Sequence, residues 1–409
     1  MTDHLIKNIP AVTLLALALV IPTYITFFIG KEPLIQGLAF SIYALPLLVM
    51  LFRSRTLHTS GRLIFFWALF LAAWVIPSLI NAAGSHLESE LVRLPVLFFH
   101  VTILTLLVVT LYHYLKPDPE KNFHQLVVTM FWALLPISLL IALKTLYLEG
   151  YNPTLRPSPF GIHPNVAAEV MLVFLLCATQ VREATVKWLA YAVTIATCYL
   201  LQSRGGLIAS YLALFILYGY PLVTQKNLQK KSAIAIGGLL VMGLLFFYQD
   251  LYDLILKASM LDMRTQDIAS RGQMWLLGLE SIMARPWTGL GFWVNPMGYS
   301  LPEHVPVWVM LGDPGLEIHN AFIRIATENG LVLLAMTLAL MGFAAHRLHR
   351  DKNYPELAAL MSVTFFLCFA TRHLTLNLMN VLLYMVILKA TLPSNPKKRL
   401  KRKTNQEGH

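Results

Sequence analysis

The sequence predicts an all-α polytopic membrane protein, a bundle of about twelve transmembrane helices with one long outer loop that carries helical structure of its own. Three observations predict it. Of the 409 residues, 57% are apolar and only 13% charged, where a water-soluble domain carries about a quarter charged. The apolar residues fall in runs of about 20, the length needed to cross a hydrocarbon core. The 32 lysines and arginines gather mainly in every second connection between those runs, the asymmetry that places basic loops in the cytoplasm.

Taken in order, the runs predict spans near 9–29, 33–52, 62–82, 91–115, 123–148, 165–181, 186–202, 205–223, 232–251, 316–345, 355–371 and 373–392. The chain divides into nine helices over 1–251, an outer loop over 252–315, three helices over 316–392 and a basic tail over 393–409. The first run has no small-residue cleavage site behind it and is expected to be a retained helix. Pro22, Pro46, Pro77 and Pro136 lie inside spans, which a membrane bundle tolerates when neighbours satisfy the freed carbonyl. With both termini in the cytoplasm, Lys116, Lys121, Arg182, Lys187, Arg347, Arg350 and Lys352 all fall on the inner side. The tail adds Lys397, Lys398, Arg399, Lys401, Arg402 and Lys403. A net charge of +11 so distributed fits attraction to anionic membrane lipid, not nucleic-acid binding. Cys177, Cys198 and Cys368 each lie inside an apolar run, so neither a disulfide framework nor a CxxC metal site is expected.

The loop over 252–315 is long enough to be functional. Ser270 can cap a helix opening at Arg271, with Met274, Trp275, Leu277, Leu279, Ile282 and Met283 as its apolar face and Pro286 as its stop. A glycine-rich turn, Gly289-Leu290-Gly291, follows, and the segment ends at Glu317-Ile318-His319-Asn320. Two shorter outer segments also draw attention: Arg156 through His163-Pro164-Asn165, and Ser203-Arg204-Gly205-Gly206, whose diglycine is expected to make a sharp reversal.

Arginines on the outer side oppose the charge bias of the bundle and call for individual explanation. Arg204 and Arg271 stand beside glycines at helix ends, where a guanidinium can reach into a cavity and grip phosphate oxygens in a bidentate way. Arg93 and Arg156 could do the same or snorkel to headgroups. His319 carries an imidazole, a group that ordinarily titrates near neutral pH and can take a proton from a hydroxyl. Arg324 and Glu328, one turn apart within the membrane, are best explained as a pair that neutralises itself. Carboxylate pairs at Glu88/Glu90 and Asp250/Asp253 lack a third ligand, and no metal site is expected. No phosphate-binding P-loop, dinucleotide fingerprint or nucleophile elbow occurs.

On these residues the chain resembles the O-antigen ligase family, within the superfamily that includes O-antigen polymerases and bacterial protein O-oligosaccharyltransferases. Four motifs carry the resemblance in order: Arg156…Gly161 with His163-Pro164-Asn165; Ser203-Arg204-Gly205-Gly206; Ser270-Arg271 with Trp275; and Gly289-x-Gly291 followed by His319-Asn320-x-Phe322 and Glu328-x-Gly330. The resemblance implies a membrane-embedded glycosyltransferase, GT-C-like in architecture, in the bacterial inner membrane with its site on the periplasmic face. The implied donor is a glycan on undecaprenyl diphosphate and the implied acceptor a sugar hydroxyl of lipid A–core. The expected transfer inverts the anomeric centre and needs no cofactor, metal or ATP. His319 is then the base, with Arg204 and Arg271 holding the developing diphosphate charge. Arg93, Arg156, His163, Asn165, Glu317 and Asn320 are candidates for binding donor or acceptor. A polymerase or a protein O-oligosaccharyltransferase remains open; the chain ending about 20 residues after its last span, by the span rule, favours the ligase. Transport without chemistry remains a further reading, since proline-bearing helices suit a transport path, although the two halves show no internal repeat.

Overall fold

The computed structural model describes residues 11–28, 61–84, 87–149, 158–161, 163–221, 275–291, 318, 320–368 and 377–392. Among them every regular element is helical and no strand occurs. The helices are α1 (Ala11–Phe28), α2 (Gly61–Gly84), α3 (Leu87–Leu115), α4 (Pro119–Lys144), α5 (Pro164–Ala178), α6 (Ala184–Leu200), α7 (Arg204–Leu214), α8 (Trp275–Ala284), α9 (Ala321–Arg350), α10 (Tyr354–Leu367) and α11 (Leu378–Thr391). Single π-turns extend α4 over Thr145–Glu149 and α7 over Phe215–Gly219. The expected spans at 33–52 and 232–251 lie outside the described residues.

Two kinds of apolar helix explain the layering. Helix α11 is apolar on every side, and all of it except Ile387 and Thr391 is buried; such a helix belongs at the centre of a bundle. It packs against α1, α3, α4, α5, α9 and α10. Helix α5 is nearly as enclosed, buried at Pro164 and from Ala167 through Ala178. Helix α4 is apolar on two faces with different fates. Phe123, Leu126, Val127, Met130, Phe131, Leu134, Ile137 and Ile141 point inward, whereas Trp132, Leu139, Leu140 and Leu143 are exposed. The outer surface of α2, with Phe65, Leu69, Ile76, Leu79 and Ile80, is the same. An apolar exterior this extensive is a surface made for lipid. Polar side chains on these helices are satisfied locally. The hydroxyls of Thr102, Thr105, Thr110, Thr129 and Thr364 donate to carbonyls four residues back. Tyr24 donates to the carbonyl of Ala133, next to the one that Pro136 frees in α4.

Length separates the helices further. Among the described residues, three segments are long and apolar enough to cross a membrane alone: Leu97–Leu115, Pro119–Tyr147 and Ala321–Arg350. The others are shorter apolar helices, α5 and α11 having 15 and 14 residues, against the full spans expected from hydropathy.

One end of the bundle is tied by polar contacts. The Arg347 guanidinium donates to the Leu392 carbonyl, fastening the carboxyl ends of α9 and α11. Lys389 of α11 forms a buried ion pair with Glu356 in the first turn of α10, and its ammonium lies 4.6 Å from the Phe123 ring at the start of α4. His124 meets Gln180 just past α5 at 3.2 Å. Tyr220 stacks edgewise on His349 and Tyr354. The same end carries Lys116, Lys121, Arg350 and Lys352, so it is the basic end.

From that end α5, α7, α9 and α11 all rise with their amino termini pointing away. At 1.5 Å per residue the part of α9 between Arg347 and Gly330 climbs about 25 Å, and α11 climbs about 20 Å from Thr391. The amino ends of α5, α7 and α11 therefore come within about one turn of the level of Gly330. That level is where α9 breaks: Gly330 takes φ 83, ψ 173.

The break is filled by the turn after α8. Leu290 N–H donates to the Thr327 carbonyl at 2.7 Å, Gly291 N–H to the Glu328 carbonyl at 2.8 Å, and Leu331 N–H to the Pro286 carbonyl at 2.7 Å. Thr327 also donates its hydroxyl to the Gly278 carbonyl of α8 at 3.2 Å. Close approach requires glycine on both sides. A Cβ on Gly289, whose φ is +59, would stand 2.5 Å from the Glu328 carbonyl carbon; one on Gly330 would stand 2.2 Å from the Trp287 oxygen. Helix α8 lies on α9 through Leu277 and Gly278. Leu276, Leu279 and Met283 are exposed, so the face expected to include Leu279 and Met283 is turned by the docking of Gly278 onto Ile323.

Two predictions follow from this packing. Gly289→Ala and Gly330→Ala should each destabilise the detergent-solubilised protein by about 3 kcal/mol or more, because strain and overpacking combine. Gly342→Ala, where an added Cβ meets nothing within 4 Å, should be neutral or stabilising by up to about 1 kcal/mol. Thermal melts decide; equal melting of all three would refute the tight junction. Lys389→Met should cost about 3–5 kcal/mol by stranding Glu356, and adding Glu356→Leu should recover much of it. A double variant no better than the single one would show that the pair is not what suffers.

Candidate active site

The amino ends of α5 and α7 meet. Pro164 takes the first helical position of α5, and His163, itself exposed, caps it by accepting from the Asn165 N–H at 3.2 Å. Asn165 turns its side-chain oxygen to the Ser203 hydroxyl at 3.3 Å. Ser203 caps α7 by accepting from the Gly206 N–H at 3.4 Å. Two segments that stand 38 residues apart are thus joined through one hydroxyl.

The reversal between α6 and α7 works differently from the expectation that a diglycine makes it. Gln202 takes the left-handed backbone, φ 52, and Gly205 and Gly206 already belong to the first turn of α7. Gly206 serves packing instead: a Cβ there would stand 3.0 Å from Ala168 Cβ and 3.1 Å from Cys198 Sγ. The absent side chain lets α7 settle against α5 and α6. Arg204, at the first position of α7, is exposed.

Lys144 is a residue that sequence reading passed over. It ends α4 at the same end of the bundle, and its ammonium lies 4.3 Å from the centre of the Phe160 ring. Phe160 sits in the short 3-10 turn Pro159–Gly161 with φ 59, just ahead of His163. A lysine at an outer helix end opposes the charge bias as the outer arginines do, and that signal would have found it.

Helix α9 opens with Asn320, whose side-chain oxygen accepts from the N–H groups of Phe322 and Ile323 at 3.0 and 3.1 Å. Ile318 is buried. One turn in, Arg324 Nε donates to Glu328 Oε1 at 2.7 Å, both side chains largely enclosed; the spacing in the sequence already implied this pair. Helix α11 opens with Asn377, which accepts from the Asn380 N–H at 2.8 Å.

Among the described residues, four helix amino ends that point away from the basic end are capped by a side chain: His163, Ser203, Asn320 and Asn377. Each amino end carries about half a positive charge. Helix amino ends are ready-made sites for anions, and Arg204 adds a full charge among them.

Of the residues expected to act, the structure brings His163, Asn165 and Arg204 together and gives the Asn320 side chain to capping. Arg93 lies near the start of α3, a helix whose carboxyl end belongs to the basic end through the Asn122 contact to the Tyr114 carbonyl. Its start is accordingly at the site end; the Arg93 side chain lies outside the described residues, as do Arg156, Arg271, Glu317 and His319. Among the described residues no group of three or more His, Cys, Asp or Glu side chains could hold a metal ion.

No curated protein matches the chain. A family comparison does. Residues 189–338 match the O-antigen ligase family. The match runs from α6 through α7, α8 and the broken part of α9, taking in Ser203, Arg204, the Gly289–Gly291 turn and the Glu328–Gly330 break. The protein is a helical membrane protein whose residues 189–338 are similar to the O-antigen ligase family.

Proposed function

We propose that the chain is an O-antigen ligase, transferring a glycan from undecaprenyl diphosphate to a sugar hydroxyl of lipid A–core on the periplasmic face of the bacterial inner membrane, with both termini cytoplasmic. The observation that carries the reading is the gathering of capped helix amino ends, with Arg204 exposed among them, at the end of the bundle opposite the basic one. The basic end fits the cytoplasmic side, and the opposite end is the one where an anionic leaving group would be stabilised.

The chemistry needs few groups. The acceptor hydroxyl oxygen attacks the anomeric carbon, and the bond from that carbon to the phosphate oxygen breaks. The pair of electrons leaves with undecaprenyl diphosphate, and the hydroxyl proton passes to His319. A diphosphate leaves as an anion without protonation, so the demand is for positive charge where negative charge develops. Arg204 and Arg271 supply it in this reading, with Arg93 and Arg156 as further cations and Glu317 tuning His319. The Asn165–Ser203 bond holds the α7 turn from which Arg204 projects.

Purified protein mixed with a glycan on undecaprenyl diphosphate and rough lipopolysaccharide, with chelator and without ATP, tests the reading on a gel. Wild type should yield glycan-bearing lipopolysaccharide. His319→Ala should lose about 10²–10⁴-fold in rate, and Arg204→Ala about 10²–10³-fold. Longer lipid-linked glycan in place of modified lipopolysaccharide would make the chain a polymerase; equal product from all three proteins would discard the assigned residues; no transfer of any kind would favour transport.

A further inference from the structure

We propose that Asn377 is a substrate-binding residue: its side-chain NH2 group, together with the amino end of α11, binds a phosphoryl oxygen of the lipid-linked donor. This rests on the reading of the chain as a transferase that accepts a prenyl diphosphate.

Asn377 holds an extended backbone, φ −103, ψ 163, and its side-chain oxygen accepts from the Asn380 N–H at 2.8 Å. That bond fixes which end of the carboxamide faces the helix. The other end, Nδ2, is buried without a hydrogen-bond partner, and the residue as a whole is 7% exposed. A buried donor with no acceptor is destabilising. Capping alone does not call for it, because aspartate caps as well without carrying a surplus donor; Asp118 does so here.

Position adds a second argument. Helix α11 is surrounded by α1, α3, α4, α5, α9 and α10. Its amino end lies within about one turn of the level at which α5 and α7 begin. Three parallel helix dipoles thus point their positive ends at one level. The first-turn N–H groups of α11 have no partner within the helix, and the cap takes only one of them. Asn377 Nδ2 and the first-turn N–H groups are donors at the positive end of a helix, so the ligand that fits them is an acceptor, and an anionic one; Asn380 Oδ1 is an acceptor in the same turn. A phosphoryl oxygen meets both conditions. A cation meets neither.

The test uses the full chain in detergent and two probes, farnesyl diphosphate and the neutral alcohol farnesol. Asn377→Asp keeps an oxygen for the Asn380 N–H and carries no donor; Asn377→Ser keeps one too and replaces the NH2 group with a single, shorter hydroxyl donor. Both should bind farnesyl diphosphate about tenfold or more weaker than wild type, while farnesol affinity and the melting temperature stay near wild type. If Asn377→Asp melts early, Asn377→Ser carries the comparison. Diphosphate affinity unchanged in the variants, or diphosphate and farnesol affinity lost together, would make Asn377 a structural cap and overturn the proposal. Those results would leave the transferase reading intact wherever wild type still transfers glycan; a wild type that neither binds the diphosphate nor transfers glycan would remove both.

Discussion

In hydrocarbon a backbone N–H or C=O without a partner costs several kcal/mol, and the outer half of this bundle is organised around that constraint. Helix α9 breaks at Gly330 inside an apolar run. The break is tolerable because the turn after α8 supplies the partners that the helix gives up, taking the carbonyls of Thr327 and Glu328 and satisfying the N–H of Leu331. The turn in turn needs glycine at 289, since any side chain there would collide with the Glu328 carbonyl. Sequence elements some 40 residues apart are therefore one structural object, and α8 is held to α9 by backbone bonds that depend little on which side chains flank them.

The same constraint explains the capped amino ends. A helix that begins below the membrane surface cannot leave its first N–H groups to bulk water, so each of α5, α7 and α11 carries a polar cap, and α9 does as well. Capping takes only part of the donor capacity. What is left is a positive potential built from backbone, placed opposite the end where lysine and arginine gather. A bundle with mobile cations on one side and fixed partial charges on the other presents different anion-binding chemistry to its two faces.

Much of the fold was legible because lipid imposes a simple rule on composition. Spans near 9–29, 62–82, 91–115, 123–148 and 316–345 are recovered as α1, α2, α3, α4 and α9 to within a few residues at most ends. Hydropathy overestimated the last helix, running it from 373 where α11 begins after Asn377, because apolar residues continue past the cap and only the asparagine marks the start. The Arg324–Glu328 pair could be read from its i,i+4 spacing. The Asn165–Ser203 bond could not: each residue stands in a motif the sequence singles out, but their meeting depends on how α5 and α7 pack. The Gln202 turn was hidden for the opposite reason: two adjacent glycines drew attention away from a residue that ordinarily avoids positive φ. Lys144 was missed because it ends an apolar run and reads as a boundary, although its sign is wrong for that side of the membrane.

The common level at which α5, α7 and α11 begin bears on how a ligase of this kind would treat polymers. With the donor head group received at that level, the sugar nearest the phosphate is the one that would meet the catalytic groups. The remaining repeats would extend away from them. Such an enzyme recognises a linkage and is blind to the length of what hangs from it, so the distribution of chain lengths in its product is inherited from whatever machinery assembled the donor.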